Sequence, residues 1–178
     1  MYDMYYSVIK KCDIANGPGV RVTLFVSGCT HRCEGCFNPE TWDFQYGQPF
    51  TEAAADEILK ALSPDYIAGL TLLGGEPLEY ENWTALLPLL REVRAHFPQK
   101  DVWCYTGYLF DRDLLDDFCE KWEDMKAFLS CLDVIVDGAF VQAKKNIGLR
   151  FRGSENQRII DVRESLRQGK IVLWEDGA

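Results

Sequence analysis

The 178-residue chain has the length of one domain, enough to bury a substantial core, and its 47% apolar and 26% charged make-up is that of a globular protein. Its formal net charge of −9 argues against sequence-independent nucleic-acid binding, which needs a basic face. No run reaches the roughly 18 apolar residues of a membrane span, and residues 1–12 (MYDMYYSVIKKC) lack the basic start and apolar core of a signal peptide, so a soluble cytoplasmic protein is expected.

In chain order, residues 20–27 (VRVTLFVS) are a β-branched and aromatic run that predicts a buried strand, followed by a Gly/Cys-rich loop. Thr51 is placed to cap a helix over 52–62, with Ala54, Ile58, Ala61 and Leu62 on one stripe. Residues 68–73 predict a second strand ending at Gly74–Gly75. A helix over 83–96 contains Pro88, which is expected to kink it or displace its start. Residues 101–105 predict a third strand, 111–122 a helix burying Leu114, Leu115 and Phe118, and 132–136 a fourth strand ending at Asp137–Gly138. Residues 158–162 and 170–174 are candidate short strands.

Strand and helix in alternation imply parallel strands joined by right-handed crossovers. Four clear strands fall short of an eight-stranded barrel, which takes ~250 residues. The expectation is therefore α/β: an open, partial (β/α) barrel of mostly parallel strands, in one domain spanning residues 1–178. Ligands of such sheets bind beyond the carboxyl ends of the strands. The cysteine loop, Gly74–Pro77, Thr106–Gly107 and Asp137–Gly138 all fall there.

An odd count of seven cysteines without a secretion signal argues against a disulfide framework. Only Cys29, Cys33 and Cys36 form a tight group, spaced C-x3-C-x2-C, whereas 12, 104, 119 and 131 are scattered. Three thiolates on a glycine-relieved loop suit three irons of a [4Fe–4S] cube and leave the fourth open, as in a catalytic metal site. Zinc, with His31 as a fourth ligand, and three unrelated thiols are the alternatives. Gly74–Gly75–Glu76–Pro77 lets the backbone approach a ligand closely, so that its carbonyls meet an ammonium group; an ordinary strand-to-helix turn explains the same residues. Thr106–Gly107 is ambiguous in the same way. His96, beside Pro98 at a helix end, reads as structural.

C-x3-C-x2-C followed by an aromatic, with GGEP one βα unit later, resembles the radical S-adenosylmethionine (SAM) superfamily. The stretches NGPGVR (16–21), FVSGC (25–29), GQPF (47–50), GGEPL (74–78), YTGY (105–108), VDGAF (136–140) and RGSENQR (152–158) resemble one branch, the activating enzymes of glycyl-radical enzymes. Within it, the likeness is to those serving the anaerobic (class III) ribonucleoside-triphosphate reductase. The resemblance implies a [4Fe–4S] cluster on Cys29, Cys33 and Cys36 whose open iron chelates SAM. It places Gly35, Cys36 and Phe37 beside SAM, Phe37 near the adenine. Gly75, in the Gly74–Gly75–Glu76 turn, receives the methionine ammonium, and Thr106 and Asp137 line the far side. It implies no catalytic residue beyond the cluster and SAM site. The implied partners are the reductase's large subunit and a low-potential electron donor such as flavodoxin, with no nucleic acid and no membrane.

Other readings are an activase of pyruvate formate-lyase type, a small-molecule radical SAM enzyme such as a deazapurine synthase, and a non-catalytic iron–sulfur or zinc-binding module. Two stretches depart from the family pattern. Residues 116–131, acidic and aromatic with Cys119 and Cys131, are expected to be an inserted, solvated helix. The tail after Arg158 has no assigned role.

Overall fold

The computed structural model describes residues 3–176. Its strands are β1 (Tyr5–Asp13), β2 (Val20–Val26), β3 (Gln48–Pro49), β4 (Ile67–Gly74), β5 (Asp101–Tyr105), β6 (Val134–Asp137) and β7 (Arg158–Asp161). They form one open sheet in the order β3-β1-β2-β4-β5-β6-β7. The inner strands β2, β4, β5 and β6 run parallel, as the alternating pattern predicts. β1 and β7 flank them antiparallel, and β3 pairs antiparallel with β1.

The helices are α1 (Glu52–Leu62), α2 (Tyr80–His96), α3 (Cys119–Lys121), α4 (Met125–Ser130) and α5 (Val162–Gln168). Thr51 caps α1 as expected, accepting a hydrogen bond from the Ala54 N–H. Successive strand residues point to opposite faces. Val22, Leu24, Leu70, Leu72, Val102, Cys104 and Ile135 join the core that packs against Ile58 and Leu62 of α1 and Leu86, Leu90 and Val93 of α2. A smaller cluster of Trp103, Val134 and Val136 is packed by Tyr105, Phe151, Ile159 and Trp174.

Arg21 is fully buried and donates to Thr71 Oγ1 at 2.8 Å, the Leu70 carbonyl at 3.1 Å and Asp101 Oδ1 at 2.6 Å. Thr71 Oγ1 in turn donates to the Asn16 carbonyl at 2.8 Å, tying residues 14–19 to the sheet. The NGPGVR stretch is thus a buried charge satisfied from several sides, as a guanidinium out of water requires.

Several expectations change. Residues 5–13 form β1, which the sequence pattern does not mark because much of it is exposed and polar. α2 starts at Tyr80 and runs through Pro88. The helix after β5 begins at Phe110 and is π-wound to Phe118, with the Leu114 N–H donating to the Leu109 carbonyl five residues back. The 116–131 stretch is not a solvated helix: Phe118, Met125, Phe128, Leu129 and Cys131 belong to the main core. Its acidic residues occupy the other side of an amphipathic segment. Residues 158–161 are β7 as expected, while 170–174 contribute a single bridge, Leu173 to Ile160.

Candidate functional site

Beyond the carboxyl ends of β2 and β4, the Cys29–Cys36 loop and the Gly74–Pro77 turn are stitched together by main-chain hydrogen bonds. Gly75 N donates to the Val26 carbonyl at 2.7 Å, Glu76 N to Gly28 at 2.8 Å, and Gly28 N to Thr41 at 2.7 Å. Asn82, buried in α2, donates its amide to the Ser27 and Glu76 carbonyls at 2.9 and 2.8 Å. The Thr30 amide and hydroxyl both donate to Glu79 Oε1. A Cβ on Gly75 would sit 2.7 Å from the Gly28 carbonyl oxygen and 2.9 Å from that of Thr41. Glycine is required there because the cysteine loop itself is packed against it.

Cys29, Cys33, Cys36, Phe37, Gly74, Gly75, Glu76 and Thr106 line one cavity of about 490 Å³. Gly35 and Asp137 are not among its walls. Asp137, expected on the far side of the ligand, is fully buried and engaged elsewhere. Its carboxylate accepts from the Phe110 N–H at 2.8 Å and from Arg158 at 2.5 and 3.0 Å, so it anchors the π-wound helix and β7. Gly138 takes the place on the wall expected of Asp137.

Glu76 is 2% exposed, and its carboxylate is occupied by protein. It accepts from the Thr106 hydroxyl and from the amides of Gly107 and Leu78, and His31 Nε2 lies 3.3 Å away. Glu76 and Thr106 thus brace β4 against β5 at the cavity edge. His31 also stacks edge-on with Tyr108, at 4.5 Å between centroids. Burial alone would lower its pKa, but the Glu76 carboxylate outweighs this and raises it.

The three cysteines are free and half-buried. Burial, with Glu76 and Glu79 nearby, pushes the Cys29 thiol up to about 11; burial also raises Cys33. Both thiols must shed protons to become ligands, so metal loading is proton-coupled. Among the described residues, no three Cys, His, Asp or Glu side chains converge on a position for a single ion. His31 faces Glu76 through Nε2. Three thiols spread around one cavity suit a cube, whose irons take one thiolate each.

The VDGAF and RGSENQR stretches, the second without a role from sequence, prove to be partners. Gln157 Oε1 accepts from the amides of Gly153 and Ser154, while its Nε2 donates to the Gly138 carbonyl at 3.0 Å. Asn156 donates to Ala139 at 2.8 Å and Arg152 to the Gln157 carbonyl at 2.5 Å. The two stretches hold the far wall of the cavity, including Phe140, whose ring lies 5.3 Å from that of Phe37.

Residues 15–160 match the family model described as the 4Fe-4S single cluster domain. Three similar curated proteins are each named anaerobic ribonucleoside-triphosphate reductase-activating protein. The one from Enterobacteria phage T4 is 44% identical over 160 residues, covering 88% of this chain and 93% of that protein. That of Escherichia coli (strain K12) is 43% identical over 164 residues, covering 91% and 99%. That of Vibrio cholerae serotype O1 is 42% identical over 160 residues, covering 89% and 96%. Identity at this level over nearly the whole of both chains shows family membership. The chain belongs to the anaerobic ribonucleoside-triphosphate reductase-activating proteins.

Proposed function

We propose that this protein is a radical SAM activase that places a glycyl radical on the anaerobic ribonucleoside-triphosphate reductase. The observation that carries this reading is one cavity with three thiols on one wall and the Gly74–Gly75 turn on another, in a chain whose relatives are named for activating that reductase.

Cys29, Cys33 and Cys36 hold the [4Fe–4S] cluster in this reading. When bound, the cluster supplies one low-potential electron, which splits the S–C5′ bond of SAM into methionine and a 5′-deoxyadenosyl radical. The chain binds and orients the cofactor and excludes water. Carbonyls of the Gly74–Gly75 turn accept the methionine ammonium, Gly35 shapes the loop, and Phe37 flanks the adenine. Glu76 and Thr106 act through position, fixing the turn to β5. The cavity volume falls within the range of small-molecule sites. With both groups bound, the cavity walls would hold the target glycine's Cα hydrogen within reach of that radical and keep water out, and 5′-deoxyadenosine would be the product. In this reading the open sheet serves as a partial barrel whose mouth the partner would close.

A flavodoxin-type donor would reduce the cluster, and the reducing cytoplasm suits both thiols and cluster. Among the described residues no helix is long and apolar enough to cross a membrane. The test is anaerobic incubation of reconstituted protein with SAM and dithionite. Methionine and 5′-deoxyadenosine should form in equal amounts. A protein that binds iron and forms neither is a non-catalytic carrier.

A further inference from the structure

Residues 144–155 form a hairpin whose arms belong to the cavity wall and whose tip extends beyond it. Lys145 and Ser154 bridge its arms, with Asn146 N donating to Gly153 at 3.2 Å and Glu155 N to Lys144 at 3.0 Å. Asn146 closes the turn, its side chain accepting from Gly148 N at 2.9 Å and its carbonyl from Leu149 N at 3.3 Å. Lys145, Ile147, Leu149 and Phe151 are among the residues that line the cavity. Ile147, at the tip, is 95% exposed, more than any other large apolar side chain described.

A single exposed isoleucine is ordinary. Its surroundings are not. The nine residues 144–152 (KKNIGLRFR) contain four of the chain's 19 Lys and Arg and none of its 28 Asp and Glu. Arg150 is paired with Asp176 and Arg152 is tied to the Gln157 carbonyl, which leaves Lys144 and Lys145 as a basic rim beside an apolar tip, at the mouth of the cavity of a chain of net charge −9. Lys145 lies over the Phe37 ring at 5.2 Å, which joins the rim to the cysteine wall.

We propose that the hairpin is the docking element for the reductase, with Ile147 as apolar anchor and the exposed Lys144 and Lys145 meeting an acidic patch beside the target glycine. The proposal rests on the activase reading. A backbone glycine has no side chain to carry it inward, so the polypeptide around it must be held at the rim, and the hairpin is part of that rim. The net acidic remainder of the molecule repels an acidic patch while the rim attracts it, which orients the encounter. The buried anchor then governs dissociation.

The experiment is calorimetric titration of the anaerobically reconstituted protein with its cognate reductase at low and high salt. Ile147→Asp should weaken binding about tenfold, the loss of one interface anchor. Lys144→Glu should weaken it about threefold at low salt and flatten the salt dependence. Iron content and melting temperature should match wild type in both. Wild-type affinity and salt dependence in both variants would overturn the hairpin assignment and leave the activase reading standing. Failure of the wild-type protein to bind the reductase would overturn both.

Discussion

The Cys29–Cys36 loop and the 144–155 hairpin line the same cavity but are held in different ways. The first is tied by main-chain bonds to β2, β4 and the segment before β3, and by buried Asn82 and Glu76. The second is fixed at its base by Asn156, Gln157 and Ser154, and its outer half stands in solvent. The difference separates two tasks: a cofactor wall needs atoms held to a fraction of an ångström, whereas a docking wall needs exposed contact surface.

The comparison is broken most severely at the thiols. Cys29→Ala, Cys33→Ala and Cys36→Ala should each lose most bound iron and all SAM cleavage, since a cube on two thiolates is poorly retained. Cys12→Ala, Cys104→Ala, Cys119→Ala and Cys131→Ala should keep both, measured by iron assay and 5′-deoxyadenosine yield. Iron loss in any of these four would undo the ligand assignment.

Next is the support beneath the site. Arg21→Ala removes a fully buried cation and leaves Thr71 and Asp101 without their donor. It should cost about 2 kcal/mol in denaturant unfolding of the metal-free chain, chiefly from the buried Thr71 hydroxyl and Leu70 carbonyl left without their donor, since Asp101 is 38% exposed. A loss below about 1 kcal/mol, the size of an exposed pair, would show that residues 14–19 are held by other means.

Glu76→Gln sharpens the cofactor side. An amide offers one acceptor oxygen where Thr106, Gly107 and His31 face two. A loss of about 1–3 kcal/mol is expected, with weaker SAM binding and retained thiols. Unchanged melting and SAM affinity would refute a bracing role.

The smallest effect is pH-dependent. His31 has a folded pKa above its ordinary 6.5. Its contribution to stability is therefore full below that value and fades as pH rises through the raised one. Melting of the metal-free protein should fall slightly over that window, and Glu76→Gln should flatten the slope. An identical slope in the variant would separate His31 from Glu76.

These differences also explain what was legible in sequence. Cys29, Cys33, Cys36 and Gly74–Gly75 stand out by residue type and close spacing, and the structure brings them to the walls of one cavity. The inner strands are legible because burial on both faces makes them continuous apolar runs. β1 is not, since exposure along one edge dilutes its pattern with Lys10 and Lys11. The hairpin has neither period, and its form depends on bonds such as Asn156 to Ala139, 17 residues away. Asp137 is a case the sequence pattern does not describe: it stands at the end of β6, and Arg158, 21 residues on, takes its carboxylate.

The most direct test is electron paramagnetic resonance after anaerobic incubation with SAM, a reductant and the cognate anaerobic reductase. A glycyl-radical doublet on the reductase is expected, and it should vanish when the target glycine is replaced by alanine. SAM cleavage with no radical on the reductase would contradict the activase reading.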